Sequence, residues 1–124
     1  MARRTGFSLV ELLVVLAALA LLLSVASPLY VKHVDRARDV VLRHNLAGLR
    51  DAIDKFHADH ARYPRDLAEL VSRKYLREVP LDPLTDRADS WVLVAPDGGL
   101  ANGVFDVRSG ARGAARDGSP YASW

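Results

Sequence analysis

A single carboxylate lies near the start of a long apolar stretch in this sequence. Glu11 is the only charged residue between Phe7 and Val31, and every residue from Leu12 to Leu23 is Leu, Val or Ala. An ionised carboxylate towards the centre of a bilayer costs about 2 to 3 kcal/mol or more, so an acidic residue there is a functional hypothesis by default. In hydrocarbon such a group needs a cation as its partner. The pattern therefore predicts that Glu11 pairs with a positive charge.

The apolar stretch is long enough to cross a bilayer as a helix, since a span needs about 20 residues. Arg3 and Arg4 come before it, and positively charged flanks stay on the cytoplasmic side of the membrane. The sequence therefore predicts a single pass, with the N-terminus in the cytoplasm and all residues after Val31 outside.

Two other kinds of targeting segment compete with a retained helix. An ordinary secretory signal peptide would be cut at a small-x-small site ending at Ala26 and would release a soluble module. A twin-arginine export signal would use Arg3 and Arg4, but the next aromatic residue comes one position later than that motif usually has it. Neither signal has a use for Glu11, which favours the retained helix.

The residues around Glu11 resemble the N-terminus of type IV prepilins and of the pseudopilins of type II secretion. The match consists of Gly6-Phe7-Ser8-Leu9-Val10-Glu11 followed by Leu12-Leu13-Val14-Val15. The resemblance implies that a prepilin peptidase cuts between Gly6 and Phe7 and methylates the new amine of Phe7, while the apolar helix is kept. It also implies that Glu11 guides assembly, and the Phe7 amine of a neighbouring subunit can supply the cation that it needs.

The resemblance points in particular to the major, G-type pseudopilin within the type IV pilin-like superfamily. It implies a structural subunit, not an enzyme, that polymerises into a periplasmic filament and helps to export folded proteins across the outer membrane. The implied partners are further copies of the subunit, minor pseudopilins, the prepilin peptidase and the inner-membrane secretion platform. The implied location is the bacterial inner membrane and then the periplasmic pseudopilus.

The main alternative is a type IV pilin used for adhesion, motility or DNA uptake. Such pilins usually close their C-terminal region with a disulfide, whereas this chain has no Cys. Catalysis is not expected, because the sequence has no recognisable arrangement of Ser, His and acid, no phosphate loop and no convincing pair of carboxylates. These features favour a pseudopilin over a pilin or an enzyme.

The charge balance argues against a nucleic-acid partner. The chain has 17 Lys and Arg against 15 Asp and Glu, and the surplus of two is Arg3 and Arg4. Once the predicted leader is removed, the side chains are formally neutral, so the basic character belongs to the leader.

Calcium is the cofactor that the resemblance raises. In major pseudopilins the C-terminal loop binds calcium, a hard cation that takes six to eight oxygen ligands. The resemblance gives Asp106, Ser109 and Asp117 as the candidate ligands. Arg112 stands where the family commonly has an acidic residue, so a merely solvated loop is the open alternative.

The residues after the apolar stretch predict an amphipathic helix. Its apolar stripe, at alternating steps of four and three residues, consists of Leu42, Leu46, Leu49, Ile53, Phe56 and His60. His57 and His60 have a spacing compatible with a metal pair, but with no Cys and no third ligand at a recognisable spacing, helix-end packing or a solvated role is favoured.

Prolines mark the expected limits of the helical region. Pro28 predicts either a kink or local unwinding within the helix, or the end of the membrane helix at Ser27-Pro28. The helix should stop by Arg62-Tyr63, ahead of Pro64, because the residue before a proline disfavours helical backbone.

The chain thus divides into four segments. They are a leader at 1–6, a transmembrane and filament-core helix at 7–31, its amphipathic continuation at 32–62 and a small globular region at 63–124. The expected class is α+β with a type IV pilin-like fold, in which a long N-terminal helix packs on a small antiparallel sheet with a C-terminal loop.

Local signals organise the globular region. A short helix should open near Asp66, and the proline-rich segment 79–86 should be an ordered loop. Two strands, Ser90–Ala95 and Gly103–Arg108, should pair antiparallel around a turn at 96–99, and a third strand is implied by the resemblance.

Alternation along the strands leaves open which side chains pack on the helix. Trp91, Leu93, Val104 and Phe105 compete for that face. The tail after the second strand should be a loop tied down by its terminal aromatic residues, since an untied terminus would fray.

Overall fold

The structure is a computed structural model that describes residues 5–97 and 99–124. Two predicted features fall on residues outside these ranges, namely the basic pair Arg3-Arg4 and Gly98 in the turn between the strands. In chain order the elements are α1 (Leu9–His60), α2 (Leu67–Ser72), β1 (Val92–Val94) and β2 (Asp106–Arg108), with short 3-10 turns at Leu100–Asn102 and Tyr121–Ser123. A long N-terminal helix and a small antiparallel sheet confirm the α+β class.

α1 is helical from Leu9 to His60, through Pro28. The interpretation in which Ser27-Pro28 ends the membrane helix is therefore wrong, and no local unwinding occurs there. A proline removes one backbone donor from a helix, while the hydrogen bonds of the turns on either side remain. The Leu- and Ala-rich sequence before Pro28 has high helix propensity, which carries the helix past the proline. A kink stays a prediction.

Contacts within the chain divide it into two units, one ending at Arg36 and one beginning at Ala37. In the first unit no residue in the most apolar window of α1 is buried. Among the described residues α1 is the one helix that is long and apolar enough to cross a membrane. A cleaved signal sequence would meet the same criteria, so the residues that flank the apolar stretch must decide between the two.

The second unit has a core built on the amphipathic half of α1. The buried residues of α1 are Leu42, Leu46, Leu49, Ala52, Ile53 and Phe56. They share the core with Leu67, Leu70, Trp91, Val104 and Val107. Burying a side chain of this kind contributes about 1.5 to 3 kcal/mol, so the confirmed stripe is a main source of the unit's stability. His60, its last member, is only half-buried because it lies at the helix end.

The end of α1 and the start of α2 follow the predicted local signals. Ala61 takes a φ of 53°, in the left-handed region, and its N–H donates to the His57 oxygen at 2.8 Å, which closes the last turn. Asp66 is the N-cap of α2, because its carboxylate accepts the N–H of Glu69 at 2.8 Å. The helix end before Tyr63 and the short helix at Asp66 are both confirmed.

The segment 79–86 is a loop held by hydrogen bonds. Within it, Asp82 forms an isolated antiparallel bridge with Arg87, the residue that follows the segment. Asp82 is fully buried, and its carboxylate accepts the Leu84 N–H at 2.9 Å and the Ser109 hydroxyl at 2.6 Å. These contacts confirm the ordered loop and fasten it to the tail.

β1 and β2 pair antiparallel, as predicted. The register places Val92 opposite Arg108, Leu93 opposite Val107 and Val94 opposite Asp106. The predicted turn forms, since the Gly99 N–H donates to the Pro96 oxygen at 3.2 Å, but a 3-10 turn follows it before the chain returns to the sheet.

Both strands are shorter than predicted, and the reason at β2 is a competing contact. A Cβ on Gly103 would lie 2.8 Å from the Tyr63 Cβ and 2.9 Å from the Pro64 oxygen, so the backbones approach closely there. The Val104 N–H donates to the Pro64 oxygen at 2.7 Å. Because the Val104 N–H bonds to the segment that follows α1, contact with β1 starts only at Phe105, whose N–H donates to the Val94 oxygen at 2.8 Å, and the strand begins at Asp106.

The structure shows which side chains of the sheet region pack in the core. Trp91 and Val104 are buried, and Leu93 is partly buried against the core. Phe105 is 51% exposed and does not belong to the core, whereas Val107 is buried in it. Within residues 5–97 and 99–124 the sheet has two strands, so the implied third strand is not found there. The tail contributes an isolated bridge between Ala114 and Pro120.

Candidate processing and assembly site

Ser8 and Glu11 form a reciprocal pair of hydrogen bonds at the start of α1. The Ser8 N–H donates to Glu11 Oε2 at 3.2 Å, and the Glu11 N–H donates to Ser8 Oγ at 3.2 Å. This arrangement is a capping box, which satisfies two backbone donors that would otherwise have no partner in the first turn. The negative charge also lies at the positive end of the helix dipole. The capping box therefore holds the Glu11 carboxylate on the first turn of α1.

The junction between Gly6 and Phe7 lies in the non-helical segment before α1. Gly6 is exposed, and the side chain of Phe7 is 85% exposed. A Cβ added to Gly6 would meet no atom within 4 Å. The fold of the subunit itself therefore does not require glycine at this position. A requirement for glycine would come from a second protein that binds the junction.

Gly6, Phe7 and Glu11 are therefore grouped at one end of α1. While the chain is intact, the Phe7 nitrogen is an uncharged amide, and the nearest described partner of the Glu11 carboxylate is the Ser8 backbone. Cleavage between Gly6 and Phe7 would convert that amide into an amine one residue before Ser8. The arrangement can thus supply one new positive charge just before α1 and one carboxylate on its first turn.

Ser8 is a contributor that the sequence-based predictions missed. The signal for it was present, because Ser-x-x-Glu directly before an apolar run is the pattern of a capping box.

The candidate calcium ligand Asp106 lies in β2 and faces α1. Its Oδ1 atom accepts the Nε–H of Arg50 at 2.7 Å and the backbone N–H of Val107 at 2.7 Å. Ser109 is buried, and its hydroxyl donates to Asp82. Both residues are thus engaged by protein groups.

The third candidate, Asp117, is exposed in the tail. Its Oδ1 accepts the Ser119 N–H at 2.9 Å and the Ser119 hydroxyl at 2.5 Å, and these bonds lower the pKa of Asp117 below its ordinary value. Its Oδ2 lies 3.8 Å from Arg43.

This donor set, as arranged, does not fit a cation that takes six to eight oxygens, because guanidinium groups already face two of the three side chains. Among the described residues, no three His, Cys, Asp or Glu side chains are grouped to hold a metal ion. Calcium binding stays a prediction.

His57 and His60 contact aromatic rings. The His57 ring stacks on Tyr63 at a centroid distance of 4.2 Å, and the His60 ring stacks on Phe56 at 4.3 Å. Each imidazole is therefore part of the packing at the end of α1, which supports the helix-end role.

An exposed apolar helix that begins with a capped carboxylate, follows a Gly-Phe junction and continues into a small α+β unit defines a prepilin-type subunit. The family described as "Prokaryotic N-terminal methylation motif" matches residues 1–27, the part of the chain that contains this site. A type II secretion system core protein G from Klebsiella pneumoniae is 30% identical over 99 residues, which cover 67% of this chain and 71% of that protein. The chain belongs to this family of G-type pseudopilins.

Two further relatives are similar to this chain over most of its length. A type II secretion system core protein G from Pseudomonas aeruginosa is 24% identical over 142 aligned positions, covering 98% of this chain and 96% of that protein. A fimbrial protein, EcpC, from Eikenella corrodens is 28% identical over 121 positions, covering 92% and 77%. No solved structure matches the chain significantly.

Proposed function

We propose that this pseudopilin polymerises through residues 7–31 into a periplasmic filament that helps to export folded proteins across the outer membrane. The observation that supports the proposal is that no residue in the most apolar part of α1 is buried within the chain. Apolar surface on this scale needs cover, which a bilayer provides before assembly and neighbouring helices provide after it. Such a role is structural, and we assign ATP hydrolysis to another component of the secretion system.

The processing step follows from the junction at Gly6 and Phe7. With the N-terminus in the cytoplasm and the region after Val31 in the periplasm, a prepilin peptidase of the inner membrane would meet the junction on the cytoplasmic side. The exposure of both residues leaves them accessible to such an enzyme. Removal of the leader would leave a mature chain with balanced side-chain charges and a methylated Phe7 amine.

Assembly then depends on Glu11. In hydrocarbon its carboxylate needs a cation, and the Phe7 amine of a neighbouring subunit is one that every processed copy carries. Beyond further copies of itself, the filament would contact minor pseudopilins and the inner-membrane platform, which are partners that membership of the family suggests.

The mass of the mature chain tests this proposal. We expect loss of Met1 to Gly6 and gain of one methyl group when the gene is expressed with a prepilin peptidase. Gly6→Val should remain at full length, because the larger side chain would crowd the peptidase site. The open space around Gly6 means that this variant should still fold. A mature chain beginning at Ser27, or normal processing of Gly6→Val, would contradict the proposal.

A type IV pilin is the second candidate, favoured by the likeness to the Eikenella fimbrial protein. Complementation of strains that lack one of these proteins distinguishes the two functions. A pseudopilin should restore protein export in a strain that lacks its own core protein G, whereas a pilin should restore surface fibres or twitching in a strain that lacks its pilin.

A further inference from the structure

One face of α1 contacts the tail through polar side chains. Asp39, Arg43 and Arg50 are four and seven residues apart, so they lie along one side of the helix. The Tyr121 hydroxyl donates to Asp39 Oδ1 at 2.8 Å. The predicted role of the terminal aromatic residues as ties is thereby confirmed for Tyr121.

Arg50 joins α1 to β2 with two hydrogen bonds. Its Nε–H donates to Asp106 Oδ1 at 2.7 Å, and its Nη2 donates to the Val107 oxygen at 3.0 Å. Arg50 and Asp106 are both partly buried, with side chains 39% and 29% exposed. A charge-assisted contact of this kind is stronger than a fully exposed pair, because water screens it less.

Arg43, two turns earlier, joins α1 to the end of the chain. Its guanidinium carbon lies 4.0 Å from the centre of the Trp124 ring, and its Nη2 lies 3.8 Å from Asp117 Oδ2. The Trp124 indole N–H donates to Ser119 Oγ at 2.8 Å, and Ser119 in turn donates to Asp117. The last aromatic residue and the tail carboxylate are thus held over the same arginine.

We propose that Arg43 and Arg50 replace a bound cation in this subunit and hold Asp106 and Asp117 against α1, so that the tail closes without calcium. These two arginines with their two carboxylates and Trp124 form the arginine latch. Arginine keeps its positive charge at every accessible pH, and its planar group gives directed hydrogen bonds. A divalent ion at Asp106 would either displace Arg50 and break its two hydrogen bonds, or lie beside the guanidinium as a like charge.

Thermal unfolding of the full-length chain in detergent micelles tests the latch, with near-ultraviolet circular dichroism of the two tryptophans as the signal. We expect the same midpoint in excess EDTA and in excess calcium. A saturable rise of the midpoint with calcium would overturn the proposal.

Arg50→Gln tests the arginine itself. It should lower the midpoint by about 4 to 8 °C, in EDTA and in calcium alike. Lys55→Gln is the matched control, because it removes one positive charge and an exposed ion pair with Asp51 from the same helix, and it should change the midpoint by less than about 2 °C. In a double-mutant cycle with Asp106→Asn, the decreases in midpoint from the two single variants should not add, because Arg50 and Asp106 share one contact. Equal effects of Arg50→Gln and Lys55→Gln would overturn the proposal.

Arg43→Gln gives a second readout, because Arg43 is exposed and its loss leaves no buried charge unpaired. Trypsin cleavage at Arg112 and Arg116, both exposed in the tail, reports release of the tail. We expect several-fold faster cleavage in Arg43→Gln than in the unmodified chain, with no protection by calcium in either. Slower cleavage of the unmodified chain on addition of calcium, or unchanged cleavage of the variant, would overturn the latch.

Discussion

At the scale of single residues, two glycines show that the same residue type can be required at one position and unfavourable at another. A Cβ on Gly110 would lie 1.9 Å from the Ser90 oxygen, closer than any real contact allows. Gly48 lies exposed within α1, where a Cβ would meet no atom within 4 Å outside the local helix backbone. Gly110 is therefore required by the close approach of tail and sheet, whereas Gly48 only lowers helix propensity.

The two glycines should respond to alanine with opposite signs. Gly110→Ala should lower the free energy of unfolding by about 1 to 3 kcal/mol or more, because backbone has to move. Gly48→Ala should raise it by about 0.5 to 1 kcal/mol, because alanine is the better helix former. Urea unfolding of the full-length variants in detergent measures both, and a stabilising Gly110→Ala would contradict this account.

Contacts in the candidate site and in the arginine latch differ in how far the sequence could predict them. The capping partner Ser8 is three residues from Glu11, so a local pattern contains it. Arg50 and Asp106 are 56 positions apart, and only the packing of β2 on α1 brings them together. Sequence patterns describe near neighbours well, which is why the latch could not be predicted.

At the scale of elements, a buried carboxylate fastens α2 to the segment that follows α1. Glu69 is 5% exposed and accepts Arg62 Nη2 at 2.6 Å and the Arg65 N–H at 2.7 Å. The bonds from Arg62, then that from Arg65, lower the pKa of Glu69 to about 2 despite its burial. The short α2 thus gains a fixed position that its own six residues would not supply.

The pKa of Glu69 predicts an acid-sensitive stability. Its folded pKa is about 2 and its ordinary value 4.5, so its contribution is full above pH 4.5 and is lost as the pH falls through 2. The contribution is about 2 to 3 kcal/mol, after allowance for the exposure of the arginines to water. Glu69→Gln should therefore be less stable at pH 7, and its difference from the unmodified chain should narrow towards pH 2.

Thermal unfolding between pH 7 and pH 2 checks this dependence. Asp89→Asn is a suitable control, because Asp89 pairs with Arg87 at an exposed site and its loss should change the midpoint little at any pH. A constant difference between Glu69→Gln and the unmodified chain across the range would argue against the ion pair.

The elements themselves were predictable where their signals are local. The apolar stripe of α1 and the cap at Asp66 follow from periodicity and residue type. The choice between Phe105 and Val107 at the sheet depends on where β2 starts, which the contact between Val104 and Pro64 determines. That contact joins distant parts of the chain, so alternation alone could not place the strand.

At the scale of the whole molecule, the two units expose different kinds of surface. The unit ending at Arg36 offers apolar surface and one carboxylate, and the unit beginning at Ala37 has its own core and polar ties. A chain with such a division can keep the same globular fold in the membrane-anchored subunit and in a filament. The residues that control the passage between these two states should then lie in the first unit.

Glu11 is the residue of the first unit that we expect to control assembly. Glu11→Ala should still insert and be processed, because removing a charge from an apolar helix favours insertion. Filament formation should fall by about tenfold or more, because the carboxylate would no longer attract the Phe7 amine of a neighbour.

Ser8→Ala is the matched control, since it removes the side-chain half of the capping box at a cost of about 1 kcal/mol to the helix end while the carboxylate remains. Electron microscopy of filaments, with the mass of the mature chain measured on the same cells, separates assembly from processing. Normal filaments from Glu11→Ala would refute the pairing, and an equal loss in Ser8→Ala would show that the cap, not the charge, is what assembly requires.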